Sequence, residues 1–123
     1  MREIKYKIFD MTEKIICTVY RLEWADGNLW ADCIPHLKNV TRRVLDTAKN
    51  PLLQFTGLLD KSGKEVYEGD IIQDTHAVKN ETYKSKPMRV FWNKENCAFE
   101  IEPTIPYGSE VIGNIYEPPE LYP

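Results

Sequence analysis

Apolar and polar residues alternate along most of the chain. In "EIKYKIF", Ile4, Tyr6 and Ile8 fall on one side and Lys5 and Lys7 on the other, which is the period-two pattern of a half-buried strand. "KIICTVYRLEW" is rich in β-branched and aromatic residues and predicts a longer strand. It runs into Asp26-Gly27, a two-residue hairpin turn whose central positions both tolerate positive φ. "LWADCI" is the expected return strand. "LLQFTGLL", "EVYEGDIIQ" with an interruption at Glu68-Gly69-Asp70, and "SEVIGNIY" broken at Gly113 continue the β pattern. "MRVFWNKENCAFEIE" reads as a hairpin with its turn at Asn93 to Asn96.

One stretch departs from period two. In "NVTRRVLDTAKN", Val40, Val44 and Leu45 recur at helical spacing, Asn39 or Thr41 offers a cap, and Asn50-Pro51 supplies a stop. A short helix is expected there. The sum is a mostly β chain, predicted to fold as a small SH3-like or related β-barrel with one short helix. The expected organisation is a single domain over residues 1–123. It carries a variable insert at about 25–50, an exposed loop at about 74–88 and a proline-rich tail over 117–123.

Candidate chemistry is sparse. "GLLDKSGKEVYEG" holds three glycines but neither GxxxxGK[ST] nor GxGxxG, so Gly57, Gly63 and Gly69 read as turn and bulge residues and not as a phosphate loop. In "EGD", Asp70 is placed to accept backbone amide hydrogens of the turn. The competing reading joins Glu65, Glu68 and Asp70 into a carboxylate cluster for Mg²⁺ or acid–base work. "CIPH" sets Cys33 and His36 at zinc spacing, yet only the distant His76 and Cys97 remain for a second pair. The three cysteines, Cys17, Cys33 and Cys97, contain no CxxC and read as buried thiols. Trp24, Trp30 and Trp92 lie in strand contexts and are expected to fill the core or cap its ends. No catalytic residue, cofactor or metal is expected.

Charge narrows the partners. A net charge of −3 and a pI near 5.4 disfavour capture of nucleic acid over the whole surface. One basic stretch, "KNETYKSKPMR", interleaves Lys79, Lys84, Lys86 and Arg89 with Tyr83, a composition that suits either single-strand contact or a soluble, aggregation-resistant edge. Arg42-Arg43 is a weaker basic point. The tail residues Tyr116, Leu121 and Tyr122 are large apolar groups among prolines, and are candidates for packing on the chain itself or on a neighbouring subunit. No run is long and apolar enough for a membrane span, and "MREIKYKIFD" lacks the apolar core of a secretion leader, so a cytoplasmic protein is expected.

Three segments in order, "MREIKYKIFD", "LLQFTGLLDKSGKEVYEGDII" and "YGSEVIGNIYEPPEL", resemble the YopX-type proteins of bacteriophages and prophages. The resemblance spans essentially the whole chain. It implies a small, mostly β, phage-encoded protein of the bacterial host's cytoplasm, with a barrel-like fold and assembly into oligomers; the apolar tail adds the expectation that it binds itself or a phage or host protein. It brings no established activity, cofactor or catalytic residue. The expected role is a non-enzymatic interaction or self-assembling module, with a nucleic-acid accessory protein acting through residues 79–89 as the alternative.

Overall fold

The computed structural model describes residues 4–35, 43–100 and 108–117. They form two compact units, one ending at Gln54 and one beginning at Phe55. Among the described residues all of the regular structure is strand. Among the described residues there is no helix and no closed barrel.

The first unit is an antiparallel sheet. Strand β1 (Tyr6–Asp10) lies between β2 (Ile15–Ala25) and the start of β5 (Leu52–Leu59); β3 (Asn28–Pro35) covers the far side of β2, and β4 (Arg43–Asp46) forms the edge. The β2–β3 hairpin turns at Asp26 (φ 53°) and Gly27 (φ 80°). Both are left-handed, the mirror-image turn whose twist matches the strands. A bulge at Tyr20, where the register shifts between Val19 and Arg21, re-phases the outer half of β2. On the covered face Ile8, Cys17, Ala31 and Cys33 are fully buried, with Ile15, Val19, Leu22, Leu45 and Leu52 packed around them. Each apolar chain of this size removed from water contributes roughly 1.5–3 kcal/mol, so this layer outweighs any single surface contact.

The helix expected over residues 39–50 is not formed where the chain is described. Arg43–Asp46 pairs with β3 as strand β4, and the chain then turns through Thr47–Asn50. The Val44–Leu45 spacing satisfied a helix and a strand alike. Strand wins because β3 offers an unpaired edge, and because Leu45 can then face the core while Arg43 reaches Asp10. Residues 39–42 lie outside the described chain. The Asn50 stop does act as a corner, since its side-chain oxygen accepts the Met11 amide at 2.9 Å.

In the second unit, the later part of β5 pairs with β6 (Glu65–Tyr67). Strand β7 (Asp70–Val78) is flanked by β12 (Ser109–Asn114) on one edge. On the other lie β8 (Glu81–Lys84) and the short β9 (Met88–Arg89). Strands β10 (Phe91–Asn93) and β11 (Ala98–Glu100) make a separate hairpin. Val66, Ile72 and Val90 are the buried centre, with Phe99 and Val111 against it. The expected break at Gly113 is a shift of register against β7. The polar stretch after His76 is a regular hairpin, turned by Lys79 (φ 51°) and Asn80 (φ 68°).

Carboxylates hold the corners of both units. Asp60, 3% exposed, accepts the amides of Ser62 and Lys64 through one oxygen (2.9 Å each). Its second oxygen takes the amide of Val111 at 2.8 Å. Asp70 accepts the Tyr67 amide at 2.7 Å, as the reading of "EGD" anticipated. Asn114 accepts the amides of Tyr116 and Glu117 at 3.0 and 2.8 Å. In the first unit Asp10 accepts the amides of Thr12 and Glu13 and pairs with Arg43. Local acceptors of this kind satisfy turn amides that the ladders cannot reach.

Candidate functional site

Two of the three acids that suggested a carboxylate cluster serve the fold. Asp70 is committed to the Tyr67 amide, and Glu65 accepts the Tyr67 hydroxyl at 3.3 Å. Among the described residues no three histidines, cysteines or acids converge as metal ligands would. Cys17 and Cys33 are buried side by side on β2 and β3. Burial raises both thiols, Cys33 to about 12, so neither is a thiolate at neutral pH. Cys97 departs from the expectation: it is exposed in the β10–β11 turn. His36 falls outside the described residues. Arg43, counted as a basic surface point, is instead tied to the buried Asp10.

The basic stretch lies along one edge of β7. Ser85, between β8 and β9, accepts the Asp74 amide with its hydroxyl at 2.9 Å and donates its own amide to the Asp74 carbonyl. Strand alternation puts Tyr83 and Lys84 on opposite faces of β8. The Tyr83 hydroxyl donates to Glu81 at 2.6 Å, which raises its pKa. Lys79 sits in the turn, and Arg89 places its guanidinium 5.4 Å from the ring centre of Phe91. The five residues therefore share an edge and not a single face.

Of the tail candidates, Tyr116 packs inside its own chain. A Cβ added to Gly69 (φ +88°) would lie 2.8 Å from the Tyr116 ring, and burial raises the phenol's pKa. Leu121 and Tyr122 fall outside the described residues.

Large apolar groups on regular strands were missed as surface features. Trp24 is 73% exposed near the end of the β2–β3 hairpin, and Trp92 and Phe91 are 42% and 40% exposed on β10. Of the tryptophans expected to fill or cap the core, only Trp30 is half-buried, and its indole N–H donates to the Ala25 carbonyl at 3.2 Å. Sequence alone held one signal for Trp24: it stands two residues before the hairpin turn, beyond the reach of a short first strand. On the face carrying Trp30, a shallow depression of about 440 Å³ is lined by Arg21, Glu23, Asp32 and Val44. Arg21 already fills part of it by pairing with Glu23 and with Asp32, the latter at 3.1 Å.

Antiparallel sheets pinned at their corners by carboxylates that accept turn amides, with aromatics left outside, define a mostly β protein. The chain belongs to the YopX protein family, whose model matches residues 5–122. It is similar to protein EF1440 from Enterococcus faecalis, known from a crystal structure, with a TM-score of 0.68, 24% identity and 100% of each chain covered. That likeness is one of fold. Comparison with curated proteins gave no match.

Proposed function

We propose that this chain is a phage- or prophage-encoded accessory protein that works as a non-enzymatic protein-interaction module. The observation that carries the reading is Trp24, 73% exposed on a hydrogen-bonded strand. A rigid aromatic in water costs little conformational entropy on docking and removes a large apolar area when covered. Trp92 and Phe91 offer a second set of such contacts on β10. The use of Asp10, Asp60 and Asp70 as acceptors of backbone amides supports the same reading, because it gives these carboxylates a structural role. Leu121 and Tyr122 of the tail are proposed as further assembly contacts, and the SH3-like relationship of the fold belongs to this proposal as well.

The alternative is contact with nucleic acid through Lys79, Tyr83, Lys84, Lys86 and Arg89. What favours it is their alignment on one sheet edge beside Phe91. One experiment separates the two. Tagged protein is recovered from host cells with and without nuclease, alongside a Trp24→Ala/Trp92→Ala variant. Protein partners that persist after nuclease and are lost in the variant are expected. Capture that disappears with nuclease, and that follows Lys84 and Lys86 instead, would overturn the protein-interaction reading.

A further inference from the structure

Cys17 and Cys33 are two nucleophilic groups that the fold of the first unit brings into contact. Strands β2 and β3 pair with Val19 opposite Cys33 and Cys17 opposite Pro35. The two cysteines are therefore diagonal neighbours, and alternation puts both on one face. Both are fully buried in the cluster that holds Ile8 and Ala31. A hydrogen bond joins the two thiols, so each feels the ionisation of the other.

The pair is not symmetric. Burial raises both thiols, Cys33 to about 12, but the hydrogen bond between them favours the Cys17 thiolate and disfavours that of Cys33. Cys17 is thus the first of the two to ionise. The Cys33 thiol donates to the Arg43 carbonyl at 3.6 Å, and the Arg43 guanidinium favours the ionised form of both cysteines. Carbonyl and guanidinium both belong to β4, which is four residues long and, among the described residues, the last strand on that side of the sheet. Short peripheral elements open locally while the rest of a sheet stays paired.

We propose that Cys17 and Cys33 form a reversible disulfide switch, closed by a hydroperoxide that reaches them when β4 opens. The Cys17 thiolate attacks one peroxide oxygen and the O–O bond breaks. The other oxygen leaves, with a proton, as an alcohol (or as water when the oxidant is hydrogen peroxide), and Cys17 becomes a sulfenic acid. The Cys33 thiolate then attacks the Cys17 sulfur. The S–S bond forms, the S–O bond breaks, and the hydroxide departs as water with the Cys33 proton. The two thiols lose two electrons and the hydroperoxide gains them. Burial makes the first step slow in the closed protein, whereas the second is fast because the resolving thiol is already in contact. The bond links positions 17 and 33 and so closes the β2–β3 hairpin that carries Trp24 and Trp30. Diagonal neighbours stand farther apart than directly opposite residues, so the bond forms under strain. Strained disulfides are the readily reduced ones, which makes this a switch and not a permanent staple.

The inference is independent of the protein-interaction reading, and its failure would leave that reading untouched. Full-length protein is held at neutral pH with hydrogen peroxide, and disulfides and free thiols are mapped on its peptides over time. Exposed Cys97 is expected to react at least roughly tenfold faster than the buried pair. The Cys17–Cys33 disulfide is then expected to accumulate, and glutathione to return both thiols. Urea below the unfolding transition is expected to speed closure. In Cys33→Ser, Cys17 is expected to oxidise without forming an intramolecular disulfide to any β-strand partner. The mapping on the unaltered protein needs no variant to fold and decides by itself. Thiols at 17 and 33 that stay free long after Cys97 is consumed would overturn the proposal. So would separate oxidation of the two without a link, a bond that glutathione leaves intact, or a closure rate that ignores urea.

Discussion

Asp10 shows how much one side chain can hold. Burial raises its carboxyl, but the amides of Glu13 and Thr12 and the Arg43 guanidinium outweigh that, and the group is held below its ordinary value of 3.8. A depressed carboxyl contributes stability that is fully present above the unfolded value and is lost as pH falls through the folded one. Asp10→Asn is therefore expected to cost about 1–3 kcal/mol at neutral pH. Its deficit relative to the parent should shrink below pH 3.8, as seen in urea midpoints at both pH values. An equal deficit at both would mean that the charge is not what matters. Nothing in the sequence announced this pair. Asp10 and Arg43 are 33 positions apart, and Arg43 sat in a segment whose local spacing suggested a helix.

At the scale of elements, the period-two pattern found the long strands because alternation is what a half-buried sheet demands. Asp26-Gly27 and Gly63 marked their turns for the same local reason. Local signals failed where pairing across the chain decides. Strand β4 exists because β3 has an edge to offer, and a four-residue segment carries too little pattern to say so. The Lys79-Asn80 turn uses positive φ at a lysine, which no turn signature flags. Asp60 reaches Val111 across 51 positions and so fastens the β5–β6 turn to β12, a link that no local pattern marks. Replacing Asp60 with Ala removes the acceptor of three amides at once and leaves those donors unsatisfied. The expected loss is about 2–4 kcal/mol in urea unfolding, with amide exchange accelerated in both the Ser62–Lys64 turn and β12. Acceleration confined to the turn would show that the link to β12 contributes little.

At the scale of the whole chain, family membership follows from residues 5–122, and the corner residues Asp60, Asp70 and Asn114 explain why the matching segments look as they do. The candidate site was less legible. Side-chain type indicated tryptophans for the core, whereas their exposure depends on how far each strand runs past its neighbours. The basic residues cluster in sequence, but strand alternation divides Tyr83 from Lys84. The proposed role is the holding of other proteins through the exposed strand aromatics. A photo-crosslinking residue placed in turn at positions 24, 92 and 84, and activated in host cells, tests it directly. Protein adducts from 24 and 92 that survive nuclease are predicted, while adducts to nucleic acid from 84 with none from 24 or 92 would contradict it.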